Sequence, residues 1–130
     1  MKFRYTILYV ADVRAALNFY HAAFGFEIAF LHDSKDYGEL VTGETKLAFA
    51  ACDLIRQLGE EPLAVSPKSP AFGLSFETDD VARDLERALS AGATLEKPVA
   101  EQPWVQTTCS VSDKDGYLIE ICSPVARDAP

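Results

Sequence analysis

Two related stretches decide the fold: Val10-Ala-Asp-Val-Arg-Ala-Ala-Leu17 and Thr78-Asp-Asp-Val-Ala-Arg-Asp-Leu85. In each, an aspartate follows a strand-like run and precedes apolar residues at helical spacing, so its carboxylate can cap the first turn of a helix. Both predicted helices end at a glycine, Gly25 in the first copy and Gly92 in the second. The chain therefore contains an internal repeat, and each copy is one supersecondary unit.

Each copy surrounds its helix with four strand-like runs, in which apolar residues alternate between the two faces. The predicted strands are residues 3–10, 26–32, 37–42 and 45–52 in the first copy, and residues 72–78, 93–98, 106–111 and 117–122 in the second. This pattern predicts an α+β fold of two βαβββ repeats, because each amphipathic helix must cover one face of its sheet. Paired side by side, the repeats would form a curved, eight-stranded mixed sheet with the helices outside and a concave pocket within.

The chain is predicted to be one domain over residues 1–130, made of a first module at 1–53, a loop at 54–70 and a second module at 71–125. Within the loop a short helical turn is possible at residues 54–58. Glycine and proline then interrupt every periodic pattern, at Gly59, Pro62 and Pro67. We expect this segment to be a linker or a loop beside the pocket.

Composition limits the partners of the protein. A formal net charge of −8 argues against nucleic acid and against anionic membranes, both of which bind clustered Lys and Arg. No apolar run approaches the roughly 18 residues of a membrane span. Three widely spaced cysteines, Cys52, Cys109 and Cys122, are typical of reduced thiols, so we expect a cytoplasmic location.

The arrangement of these motifs resembles the vicinal oxygen chelate superfamily, which includes glyoxalase I, extradiol dioxygenases and the bleomycin- and fosfomycin-resistance proteins. The resemblance rests on motifs that span nearly the whole chain. These are residues 8–13, Phe19-Tyr20, Phe24-Gly-Phe-Glu27, residues 76–81, Ala91-Gly-Ala93 and Asp113-Lys-Asp-Gly-Tyr-Leu-Ile-Glu120. Lys114 is a minor departure, since it stands where the family usually has proline.

The resemblance also implies four metal-ligand positions, which map to Tyr5, Ala48, Gly73 and Glu120. Only Glu120 carries a side chain that the family uses as a ligand. A divalent cation needs several oxygen or imidazole donors. We therefore expect no cofactor; a divalent metal is possible but disfavoured, because only Glu120 matches a ligand position of the family.

Strand alternation predicts which side chains line the pocket. The inner face of the first strand would carry Tyr5, Ile7 and Tyr9, and small residues on neighbouring strands would leave open volume. The full set of candidate ligand-pocket residues is Tyr5, Ile7, Tyr9, Glu39, Ala48, Gly73, Ser75, Trp104, Gln106, Thr108 and Glu120. Each of them also has an ordinary structural role as an alternative, as a core aromatic or a half-exposed strand residue.

Two functions follow from the resemblance. The first is a metal-independent protein that binds a hydrophobic or aromatic small molecule, similar to the sequestering bleomycin-resistance proteins; the acidic balance would favour a neutral or cationic ligand. The second is a glyoxalase-like lyase or isomerase with Glu120 as a weak metal ligand or catalytic base. A buried Glu120 would need a donor such as Gln106 or Tyr5. The resemblance also implies a homodimer.

Overall fold

The structure is a computed structural model, and it describes residues 1–125. The first repeat consists of β1 (Tyr5–Val10), α1 (Val13–Phe24), β2 (Ile28–Leu31), β3 (Tyr37–Leu40), β4 (Lys46–Ala51) and the short helix α2 (Cys52–Gln57). The second consists of β5 (Leu74–Glu77), α3 (Val81–Ser90), β6 (Thr94–Gln102), β7 (Gln106–Ser112) and β8 (Leu118–Cys122). The chain divides into two compact units between Ala64 and Val65.

The predicted α+β fold of two βαβββ repeats is confirmed. Hydrogen bonding groups the strands into two four-stranded mixed sheets, with the orders β1-β4-β3-β2 and β5-β8-β7-β6. In both sheets the first and last strands of the unit are parallel neighbours, and the other pairs are antiparallel. The two units therefore repeat the same topology.

The helix caps that the repeat predicts are present in both units. The Asp12 carboxylate accepts a hydrogen bond from the Ala15 amide at 3.0 Å, and the Asp80 carboxylate accepts one from the Arg83 amide at 3.1 Å. Gly25 ends α1 with a φ of 79°, the left-handed conformation that glycine adopts without steric cost.

The first sheet packs one face against α1. Leu8 and Phe49 project from β1 and β4 toward the helix, and both are fully buried. The Phe49 ring lies 4.9 Å from the ring of Tyr20, which is fully buried on α1. Gly38 brings β3 close to the helix, because an added Cβ would lie 2.7 Å from a Leu17 methyl group. The opposite face of this sheet is thereby left for other contacts.

Two elements differ from the predicted boundaries. Strand β6 extends to Gln102, although Pro98 was expected to end it. It can continue because β6 is an edge strand and its pairing with β7 is irregular on both sides of Lys97. An edge strand tolerates proline, since the missing N–H group is not needed for a hydrogen bond to a second neighbouring strand. Helix α2 starts at Cys52, which was assigned to the preceding strand.

No helix within residues 1–125 is long and apolar enough to cross a membrane.

Candidate functional site

The face of the first sheet that points away from α1 carries a group of aromatic side chains, which we call the aromatic face. Strand alternation places them there, because Leu8, Val10 and Phe49 occupy the helix side. The members of the aromatic face are Tyr5, Ile7, Tyr9, Phe30, Tyr37, Glu39, Ala48 and Ala50.

Strand register arranges these residues in rows. Ala48 stands between Ile7 and Glu39, and Ala50 stands between Tyr9 and Tyr37. Both alanines are fully buried under their larger neighbours. The aromatic face therefore has small residues along its centre and large ones on either side.

A hydrogen-bonded pair lies within the aromatic face. The Tyr37 hydroxyl donates to Glu39 Oε2 at 2.8 Å, and both side chains are half-buried. The Phe30 ring lies 6.1 Å from the Tyr37 ring. Burial, together with the hydrogen bond to Glu39 and its negative charge, raises the pKa of the Tyr37 phenol far above its ordinary value.

This pair predicts a dependence of stability on pH. The folded-state pKa of Tyr37 lies above its unfolded value of about 10. Its contribution to stability is therefore complete below about pH 10 and is lost as the pH rises toward the folded-state pKa. In an alkaline titration followed by phenolate absorbance, we expect Tyr37 to contribute a late ionisation step.

Tyr37→Phe should remove this late step, and Glu39→Gln should move it to lower pH. Glu27→Gln is the matched control, because Glu27 is an exposed carboxylate of the same unit. A late step that persists in Tyr37→Phe would assign it to another tyrosine.

The second sheet presents a more polar face. Ser75 and Glu120 are register partners on the parallel strands β5 and β8, and the Ser75 hydroxyl donates to Glu120 Oε1 at 2.6 Å. The same hydroxyl oxygen lies 3.3 Å from Cys122 Sγ. Glu120 is half-buried. Glu120 thus has a hydrogen-bond donor, as expected for a carboxylate with reduced exposure, but the donor is Ser75 and not one of the suggested residues, Gln106 or Tyr5.

Gln106 and Thr108 have partners of their own on this face. Gln106 accepts a hydrogen bond from the Trp104 indole at 2.6 Å and donates one to the Ser123 carbonyl at 2.9 Å. The Thr108 hydroxyl accepts from the Gln102 amide at 2.9 Å and is buried. Trp104 itself is 55% exposed, in the turn between β6 and β7.

The structure places the predicted pocket residues in two groups. Tyr5, Ile7, Tyr9, Glu39 and Ala48 lie together on the aromatic face of the first unit. The second unit holds Gly73, Ser75, Trp104, Gln106, Thr108 and Glu120, of which Gly73 is exposed just before β5.

Two aromatic residues of the aromatic face, Tyr37 and Phe30, were absent from the predicted pocket set. Tyr37 lies two residues before Glu39 and could have been found by alternation. Phe30 could not, because its place opposite Glu39 follows from an irregular β2–β3 register.

The donor set does not fit a divalent cation. Of Tyr5, Ala48, Gly73 and Glu120, only Glu120 offers a carboxylate, and its Oε1 already accepts the Ser75 hydroxyl. In the part of the chain that the structure describes, no three His, Cys, Asp or Glu side chains converge as a metal-binding group. Octahedral coordination requires more oxygen or imidazole donors than this set supplies.

Neither histidine adds a ligand to these faces. His21 is exposed on α1, with Nδ1 2.8 Å from the Phe26 carbonyl oxygen. His32 is exposed after β2, where Nδ1 lies 2.8 Å from the Ser34 hydroxyl. Both histidines are therefore surface residues.

Comparisons with known proteins match almost the whole chain. A family model described as Glyoxalase/Bleomycin resistance protein/Dioxygenase superfamily matches residues 2–121. YraH of Bacillus subtilis (strain 168) is 27% identical over 124 residues, which cover 93% of this chain and 97% of that protein.

Solved structures show the same fold. A glyoxalase-related enzyme from Fulvimarina pelagi superposes with a TM-score of 0.82 at 22% identity, covering 100% of this chain and 96% of that one. A glyoxalase/bleomycin resistance protein/dioxygenase family enzyme from Burkholderia phytofirmans PsJN superposes with a TM-score of 0.78 at 24% identity, and the match covers 95% of this chain and 98% of that one.

Proposed function

The chain belongs to the Glyoxalase/Bleomycin resistance protein/Dioxygenase superfamily, and from this premise we propose that it binds a hydrophobic or aromatic small molecule without a metal ion. The proposed activity is sequestration: the ligand is held and released unchanged.

Exposed apolar side chains on the aromatic face carry the proposal. Tyr5, Ile7, Tyr9 and Phe30 retain 49%, 43%, 38% and 43% of their surface in contact with solvent. Clustered exposed apolar residues mark interaction surfaces, and tyrosines combine a large flat contact area with a polar hydroxyl. A flat apolar ligand can cover these rings and remove their surface from water.

Independence from metal is supported by the chemistry of the family's ligand positions. Tyr5, Ala48 and Gly73 provide a phenol, a methyl group and no side chain where a cation would need strong donors. The polar groups of the aromatic face include the phenols and Glu39, which can orient a ligand by hydrogen bonds. Binding energy would then come from apolar contact.

Calorimetry with naphthylmethanol, a neutral flat probe, tests this function. We expect saturable binding to the wild-type protein with the same Kd in the presence and absence of EDTA. Ile7→Ser should weaken binding about 5- to 10-fold, because about 1 to 1.4 kcal/mol of apolar contact is lost. Val99→Ser is the matched control, since Val99 is 42% exposed on β6 of the other unit.

Two results would contradict the proposal. One is probe binding that Ile7→Ser and Val99→Ser weaken equally, which would place the contact elsewhere. The other is metal-dependent turnover of the adduct of methylglyoxal and glutathione after addition of Ni²⁺, Zn²⁺ or Mn²⁺. That result would favour the glyoxalase-like alternative.

A further inference from the structure

Glu39 is a half-buried carboxylate on the aromatic face. It lies between Ala48 on β4 and Phe30 on β2, and Tyr37 covers it from the same strand. A carboxylate that loses part of its hydration is costly unless another group compensates its charge.

Compensation from within residues 1–125 is incomplete. Tyr37 donates one hydrogen bond, and it goes to Oε2. Arg56 pairs with Asp53 and Glu61, and Arg83 pairs with Asp84, so neither guanidinium group compensates Glu39. Lys46, the register partner of Tyr5 on β4, lies two residues before Ala48 on the same face of the sheet, and its ammonium group donates to the Gly43 carbonyl at 2.8 Å.

The surrounding rings suit a positive charge as well. A cation is attracted to the electron-rich face of an aromatic ring, and Tyr5, Tyr9 and Phe30 are partly exposed on the same face of the sheet as this carboxylate. Glu39 Oε1 can accept a charge-assisted hydrogen bond from an ammonium group. The same surface therefore offers apolar contact, aromatic rings and the negative charge of Glu39, while the one lysine of β4 on this face donates to a backbone carbonyl.

We propose that Glu39 makes the aromatic face selective for organic cations, meaning a protonated amine attached to a flat apolar body. The inference rests on the proposed function and specifies the ligand class of the same surface. Glu39 acts here as the residue that determines specificity, and the apolar side chains supply most of the affinity.

Three matched probes test the selectivity. Near neutral pH, naphthylmethylamine is a cation, naphthylmethanol is uncharged, and naphthaleneacetate (the anion of naphthaleneacetic acid) is negatively charged. We expect the amine to bind the wild-type protein about 10-fold more tightly than the alcohol, and the carboxylate to bind most weakly. Added salt should reduce the preference for the amine and leave the alcohol unaffected.

Variants assign the preference to one side chain. Glu39→Gln should bring amine and alcohol to about equal affinity without weakening the alcohol, and Glu39→Asp should retain a preference for the amine. Glu27→Gln should leave the wild-type ratio unchanged, because Glu27 is exposed outside the aromatic face. Circular dichroism establishes that each variant is folded.

The outcomes separate the two proposals. Equal affinity of amine and alcohol in the wild-type protein, or an amine preference that survives in folded Glu39→Gln, overturns the cation selectivity and leaves the binding function in place. Absence of binding by all three probes removes the binding function and this inference together. If Glu39→Gln does not fold, the wild-type ratio and its salt dependence decide.

Discussion

Phe49→Ala is expected to lower the free energy of unfolding by about 3–5 kcal/mol, the usual cost of removing a buried phenylalanine ring. Phe49 is fully buried in the middle of β4, where it lies opposite Leu8 and Gly38 in the strand register. Its ring packs at 4.9 Å from Tyr20. The truncation would leave a cavity between sheet and helix that neither element can collapse to fill.

Urea denaturation measures this cost, with Phe3→Ala as the control. Phe3 is 73% exposed, so the same chemical change there should cost less than about 0.5 kcal/mol. A loss of under 1 kcal/mol in Phe49→Ala would show that the first unit does not depend on this contact.

Gly116→Ala is expected to cost about 2–4 kcal/mol, for two separate reasons. Gly116 has a φ of 97°, which L-residues rarely adopt. In addition, a Cβ at this position would lie 2.6 Å from the Val65 carbonyl oxygen, closer than van der Waals contact permits. The loop at Val65 or the Asp113–Gly116 turn would have to move.

Gly43→Ala separates these two reasons. Gly43 has a φ of 99°, but an added Cβ would meet no atom within 4 Å. Its substitution should therefore cost only the conformational part, about 1–2 kcal/mol. If Gly116→Ala and Gly43→Ala lowered the free energy of unfolding equally, the segment at Val65 would be able to move away from the added Cβ without loss of stability.

Local sequence patterns were sufficient for the repeat and its helices. Apolar spacing predicted α1 over Val13–Phe24, and the two capping aspartates and Gly25 fixed where the helices begin and end. Alternation assigned Leu8 and Val10 to the helix side because a strand has only two faces. The length of β6 could not be predicted, since tolerance of Pro98 depends on β6 being an edge strand.

Pairings across the sheets were harder to predict than membership of a face. Glu39 and Glu120 were both predicted as site residues. The hydroxyl groups that donate hydrogen bonds to them, those of Tyr37 and Ser75, were not predicted. Ser75 reaches Glu120 through the register of two strands that lie 45 positions apart in the chain. Such a register depends on the packing of the complete unit, and no local pattern specifies it.

The parallel pairing of the first and last strands in each unit has a consequence for folding kinetics. β1 can pair only with β4, and β5 only with β8, so each unit requires a strand pairing between residues that are distant in sequence. All partners of β1 nevertheless lie before Ala64. During synthesis, the first sheet can therefore be complete before the second unit emerges from the ribosome, whereas the Ser75–Glu120 hydrogen bond cannot form until β8 has been synthesised.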